Sequence, residues 1–366
     1  MMSMVRQCQL VLDIISSIKG FKFLTLFLVG IFVSSCGTDS DVKEVGYVTQ
    51  TKPVYTNGDA ADDPAIWVNE TKPSDSLIFA TDKTSGIHVY DLEGKELAFS
   101  NLGRTNNVDI RLLNNNLYIV ASNRTTSSID LWAVPNSQAY DFFSTTVDPF
   151  NDLPKLSISA QMSVYGICLG VYNNQLVALL TEEEGVRIQF WNLTEQKLVN
   201  TFNITQDEID PPVNGNEAEG CVFDDENETF FISREGDDGI LKAFSTKDQQ
   251  LIKVIDNRQE NIIGDPEGIA IYKTDNNDGF IILSSQGDST FNVYNRLYPY
   301  DYKYKFSVAD VEDTDGLDIV NYNIKGRFPN GFMVVQDGFN APNNQNFKLI
   351  DVSEIKKKIL TPGLNN

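Results

Sequence analysis

A short unit recurs six times along this 366-residue chain: a polar or acidic residue, a small or β-branched residue, an apolar strand, a second strand ending in polar residues, then a third. Its starts read Asp63-Pro64-Ala65-Ile66, Asn107-Val108-Asp109-Ile110, Tyr165-Gly166-Ile167-Cys168, Glu219-Gly220-Cys221-Val222, Glu267-Gly268-Ile269-Ala270 and Asp315-Gly316-Leu317-Asp318. The second residues of these units lie 44 to 58 positions apart, and a period near 50 belongs to β-propellers. Length alone would allow one large domain or two ordinary ones; the repeat decides for one.

Within the repeats the strands are legible. Leu77 to Ala80 precedes Ile87 to Tyr90, Leu117 to Val120 precedes Ile129 to Trp132, and Phe280 to Leu283 precedes Phe291 to Tyr294. Short β-branched and aromatic runs separated by Asn, Asp, Gly and Ser are strands joined by turns. The best helical candidate, Val352 to Leu360, is terminal. The expected fold is therefore all-β, a six-bladed β-propeller. Such a ring must close on itself to remove its last free edge, and Tyr47 to Tyr55 is expected to supply the outer strand of the last blade.

Propeller geometry brings two sets of side chains to one mouth. The starts of the innermost strands form a ring of Asp63, Asn107, Tyr165, Glu219, Glu267 and Asp315, four of them carboxylates. The ends of the second strands add Asp82-Lys83, Asn123-Arg124, Glu182-Glu183-Glu184, Arg234-Glu235, Gln286 and Gln336-Asp337. Carboxylates so close repel one another, and divalent cations relieve the conflict. Calcium, which takes six to eight oxygen ligands, suits this composition. Lys83 and Arg124, with Arg187 or Arg234 beside them, set cationic groups next to an acidic floor. That pairing suits a multiply charged anion bridged by metal.

A net charge of −22 argues against binding nucleic acid, whose affinity is built from clustered Lys and Arg. The only histidine, His88, alternates with apolar Ile87 and Val89 in a strand, so histidine-dependent catalysis is not expected. Neither Cys168 nor Cys221 opens a Cys-x5-Arg loop, and no Walker loop or dinucleotide fingerprint occurs. Metal-assisted hydrolysis remains.

The N-terminus reads as a targeting segment. Lys19 and Lys22 precede the apolar run Phe23 to Val33, which fits a secretory core and falls short of a bilayer span. Val33-Ser34-Ser35-Cys36 resembles the lipobox of bacterial lipoproteins, in which the cysteine is lipidated. A signal starting near Lys19 would make residues 1–18 an over-long beginning and remove Cys8. The expected organisation is a signal segment over 1–36, a polar tether over 37–45 and a propeller over 46–366. Membrane contact is expected only through lipid on Cys36, in an exported monomer of the cell envelope. Cys168 and Cys221 are expected as two buried free thiols rather than a disulfide, although an exported protein could oxidise them.

Several longer segments carry a specific resemblance: Gly58 to Trp67, Asn106 to Arg111, Ala218-Glu219-Gly220, Asp265-Pro266-Glu267-Gly268, Ser284 to Gly287, Asp313 to Gly316 and Asn344 to Phe347. Together, over most of residues 50–350, they resemble the β-propeller phytases. The resemblance implies a six-bladed, calcium-requiring phosphomonoesterase acting on phytate through metal-activated water, with no phosphoenzyme. It implies calcium ligands at Asp62, Asp63, Glu219, Glu235, Asp265, Glu267, Gln286 and Asp315, with Asn106, Asn107 and the Val108 carbonyl nearby. Among these, Glu219, Glu235, Glu267 and Asp315 would carry the chemistry, while Lys83, Arg124 and Tyr165 would bind substrate phosphate. Two positions depart from the pattern. Glu183 stands where the family commonly has lysine, which Arg187 or Arg234 would have to replace, and Phe339 stands where it often has glutamate, at a peripheral stabilising calcium site. The alternatives are a calcium-dependent propeller lactonase, another phosphoesterase, or a non-catalytic surface-binding propeller.

Overall fold

The computed structural model describes residues 42–205 and 217–359. Six sheets, each built on four antiparallel strands and numbered as blades in chain order, surround a central channel. Their innermost strands are Ala61–Trp67, Thr105–Leu113, Val164–Tyr172, Ala218–Asp224, Pro266–Lys273 and Leu317–Val320. The second strands, Leu77–Asp82, Asn116–Asn123, Gln175–Glu182, Thr229–Arg234, Gly279–Ser285 and Phe332–Asp337, return toward the starts of the first. The all-β propeller read from the repeat is the fold, and the six first-named runs lie inside observed strands, whereas of Tyr47 to Tyr55 only Thr49–Gln50 is a strand.

Local chemistry sets the turns. Asn114 and Asn115, and again Asn173 and Asn174, carry positive φ between 50° and 63° and join first to second strands in blades two and three. Asparagine tolerates that left-handed conformation, which matches the twist of a hairpin. The strands then bury apolar faces against the next blade. One cluster packs Trp67, Phe79, Val108, Ile119 and Trp132 of blades one and two around Phe143 and Phe150. Those phenylalanines come from two short helices, Ala139–Thr145 and Pro149–Asp152, inserted before the outer strand of blade two. The insertion accounts for the longest repeat interval.

The ring is closed by the N-terminal segment. Strand β2 (Thr49–Gln50) pairs antiparallel with Asn346–Asp351, completing blade six as the sequence suggested. A core of Val54, Ala60, Ile66 and Ile78 against Phe328, Phe332 and Leu349 seals blade six to blade one. One boundary needs correction. Strand β1 (Lys43–Val45), the end of the expected tether, pairs parallel with Tyr302–Val308 and gives blade five a fifth strand. Lys43 and Val45 bracket a register that only the neighbouring edge reveals. Deleting residues 44–56 is expected to lower the melting temperature by about 10 °C or more, since a ring with an unpaired blade loses closure everywhere. Calorimetry decides, and an unchanged melting temperature would sink this account of closure.

A second correction concerns the cysteines. Cys168 and Cys221 are joined as a disulfide between the innermost strands of blades three and four, with Cα atoms 5.7 Å apart. Residues 53 apart in sequence meet because these strands converge on the channel, within disulfide reach. The terminal helix occupies Val352–Ile359, and Leu360 lies outside the described residues. The signal segment, Cys36 and the first part of the tether lie outside the described residues.

Candidate active site

The site begins with a bulge. In blades one to five the pairing of first and second strands jumps between Ala61 and Pro64, Thr105 and Val108, Val164 and Ile167, Ala218 and Cys221, and Pro266 and Ile269. Two residues therefore stand opposite one, which re-aims the first of them. The Thr81, Ser122 and Thr181 hydroxyls hold the bulge by accepting the N–H groups of Asp63, Asn107 and Gly166 at 3.0, 3.1 and 2.7 Å.

Aligning the bulges corrects the inner ring. Asp62, Asn106, Tyr165, Glu219, Glu267 and Asp315 are equivalent; Asp63 and Asn107 occupy the next slot, which is glycine in the other four blades. At Gly166 and Gly220 a Cβ would collide with the carbonyls of Glu219 and Glu267, because innermost strands touch there. Without that glycine as a landmark, blades one and two read one residue out of step. Asp63 accordingly lines the far part of the channel with Val108, Asp109 and Asp318, and accepts the Val108 N–H at 3.2 Å.

At the mouth, Glu219, Glu235 and Glu267 each offer an oxygen within 4.8 Å of the others. They line a cavity of about 810 Å³ with Asp59, Lys83, Tyr165, Asp265, Gln286 and Asp315. Glu235 Oε1 and Glu267 Oε2 are buried without a hydrogen-bond partner, which a folded protein tolerates where something else completes the site. Burial, reinforced by the neighbouring Glu219 charge, pushes the Glu235 carboxyl up to about 10 and that of Glu267 well above the ordinary range. Burial likewise raises Asp62 well above it, and Asp315 to about 6 against the pull of Lys83. Three converging carboxylates, two of which carry an unsatisfied buried oxygen, fit a cation such as calcium.

Supporting contacts fix this floor. Asn106 Nδ2 donates to Glu219 Oε1 at 2.8 Å, and Gln286 Nε2 donates to Asp315 Oδ1 at 2.9 Å. Asp265 accepts the Gly236 N–H at 3.0 Å and pairs with Arg258. Lys83 Nζ stands 2.9 Å from Asp59, 3.2 Å from Asp315 and 3.4 Å from Asp62. Burial works to lower its pKa, but those carboxylates and Glu219 raise it, so Lys83 stays charged. The Arg124 guanidinium lies over the Tyr165 ring, 5.1 Å from its centroid, and donates to Asn106 Oδ1 at 2.8 Å.

Of the residues expected from sequence, Glu219, Glu235, Asp265, Glu267, Gln286, Asp315, Lys83 and Tyr165 share the mouth cavity, with Asp62 and Asn106 packed against it. Asn107 stays behind, its Oδ1 accepting from Asn106 at 2.9 Å. Arg187 pairs with Glu182, and Arg234 lies 3.5 Å from Asp238. Phe339 projects at the rim, 62% exposed. Sequence reasoning missed Asp59, Arg104 and Arg258. Only the acidic run from Asp59 to Asp63 carried a signal for any of them.

A six-bladed propeller whose mouth sets a carboxylate cluster beside half-buried cationic groups defines a class of propellers with a site able to hold a cation and a multiply charged anion. Comparison with known proteins is more specific. The Phytase family model matches residues 17–363. A 3-phytase of Bacillus subtilis (strain 168) is 33% identical over 345 residues, covering 85% of this chain and 84% of that protein. The chain belongs to the phytase family. Among solved structures, Kuenenia stuttgartiensis hydrazine synthase is similar with a TM-score of 0.50 over 78% of this chain and 82% of that one, at 11% identity. That likeness concerns the fold alone.

Proposed function

We propose that this protein is a calcium-dependent phytase, removing phosphate from phytate by attack of water on phosphorus. The observation that carries the reading is the set of Glu219, Glu235 and Glu267, converging within 4.8 Å with two buried oxygens unsatisfied. Calcium held by these residues, with Asp62, Asp265, Gln286 and Asp315 around them, would neutralise the phosphate and lower the pKa of water. The chain's own residues do the rest. Lys83 and Arg124 bind phosphate oxygens, and Tyr165 forms the wall on which Arg124 rests. Asn106 and Gln286 hold the Glu219 and Asp315 carboxylates in place, keeping the seat organised before substrate arrives.

The reading extends to location. An exported monomer anchored by lipid on Cys36 is consistent with the apolar run before Val33-Ser34-Ser35-Cys36 and with the Cys168–Cys221 disulfide, which suits an oxidising compartment. The test of activity is phosphate release from phytate with calcium and with chelator. Calcium-dependent release is expected; its absence from folded protein would favour a non-catalytic binding propeller.

A further inference from the structure

Glu183 is held by two arginines of the neighbouring blade. Arg104 immediately precedes the innermost strand of blade two, and its carbonyl accepts the Arg124 N–H at 2.7 Å. Its own N–H donates to Thr125 Oγ1 at 2.8 Å, so the two arginines are locked side by side through the backbone. Their guanidinium groups converge on one carboxylate. Arg104 Nη2 lies 3.0 Å from Glu183 Oε1, and Arg124 Nη2 contacts the same oxygen.

We propose that Arg104 and Arg124 form a two-arginine seat for a substrate phosphate, which Glu183 fills in the ligand-free protein and yields when phosphate arrives. Carboxylate and phosphate are the two anions that guanidinium forks recognise, and the phosphate brings more charge and more acceptor oxygens. Displacement is easiest on the Arg104 side, whose side chain is 51% exposed, because exposed ion pairs hold weakly; the Arg124 and Glu183 side chains are more covered. Position favours the role, since Arg124 connects the seat to Tyr165 and Asn106 at the edge of the carboxylate floor. Arg104, from the same blade as Arg124, thus adds a second guanidinium to the seat.

This inference rests on the phosphomonoesterase reading, and the experiment separates the two. Steady-state hydrolysis of phytate at saturating calcium is measured for the wild type, Arg104→Ala, Arg104→Lys, Glu183→Gln and the double variant Arg104→Ala with Glu183→Gln. Loss of forked charged contacts is expected to raise KM about tenfold in Arg104→Ala, with kcat changed less than about twofold and partial recovery in Arg104→Lys. Glu183→Gln should lower KM severalfold by removing the internal competitor. The double variant decides the mechanism. If Arg104 merely restrains Glu183, Arg104→Ala will have no effect in the Glu183→Gln background, and the proposal is overturned; a KM well above that of Glu183→Gln alone supports it. An inactive wild type would refute the phytase reading itself, whereas an active wild type with unchanged KM in Arg104→Ala refutes only the seat.

Discussion

Stripped of divalent cations, the protein is expected to lose stability as pH rises, and calcium is expected to restore it by an amount that grows with pH. Glu235 carries a carboxyl pKa near 10 in the fold against an ordinary 4.5, Asp315 one near 6 against 3.8, and Glu267 and Asp62 are raised well above their ordinary values. A raised folded pKa means that the native state binds the proton more tightly than the unfolded chain. The stabilisation is therefore full below the unfolded value and disappears as pH climbs through the folded one. For the cation-free protein that window opens near pH 4 and runs upward past neutrality. Calcium bound there would replace the protons, so its effect should be small at pH 5 and large at pH 8. An ion at one hundred times its Kd contributes about 2.7 kcal/mol, and two such ions would raise the melting temperature by roughly 10 °C. The difference between melting curves in calcium and in chelator reads this directly. A difference that is absent, or flat across pH, would remove the carboxylate cluster as the cation seat.

The second large effect separates function from stability at one atom pair. Glu219→Gln keeps the size of the side chain and leaves an oxygen for Asn106 Nδ2, now 2.8 Å from the carboxylate. What it removes is a charge that burdens Glu235, Glu267 and Asp62 together. Turnover of phytate is expected to fall by about 10²- to 10³-fold, the scale of losing one preorganised electrostatic group. Cation-free stability at pH 8 should instead rise, because a buried repulsion is relieved. Activity and chelated melting temperature are measured on the same preparation. Opposite signs support the site, and a joint fall would mean that Glu219 holds the fold and does not serve a cation.

Much of this protein was legible before its fold was known. Strand positions from Leu77 to Tyr294 were readable because short β-branched and aromatic runs between Asn and Gly admit little else. Glu219, Glu267 and Asp315 were readable because each precedes a glycine, and the Gly166 and Gly220 contacts give the reason: innermost strands touch at that point. Where glycine is missing the signal slipped by one residue, so Asp63 and Asn107 took places that belong to Asp62 and Asn106. The β1 strand was hidden for a related reason. Three residues acquire a strand identity only from the edge of Tyr302–Val308 that they cover.

The sequence by itself determined the number of blades, the acidic character of one mouth and the residue types able to hold a hard cation there. These follow from periodicity and composition, which are local and additive along the chain. The tertiary structure decided which acids meet, that Cys168 reaches Cys221, and that Arg104 rather than Arg187 or Arg234 stands against Glu183. Those outcomes depend on the contacts between blades and on where each bulge turns a side chain, and neither is written within a single repeat.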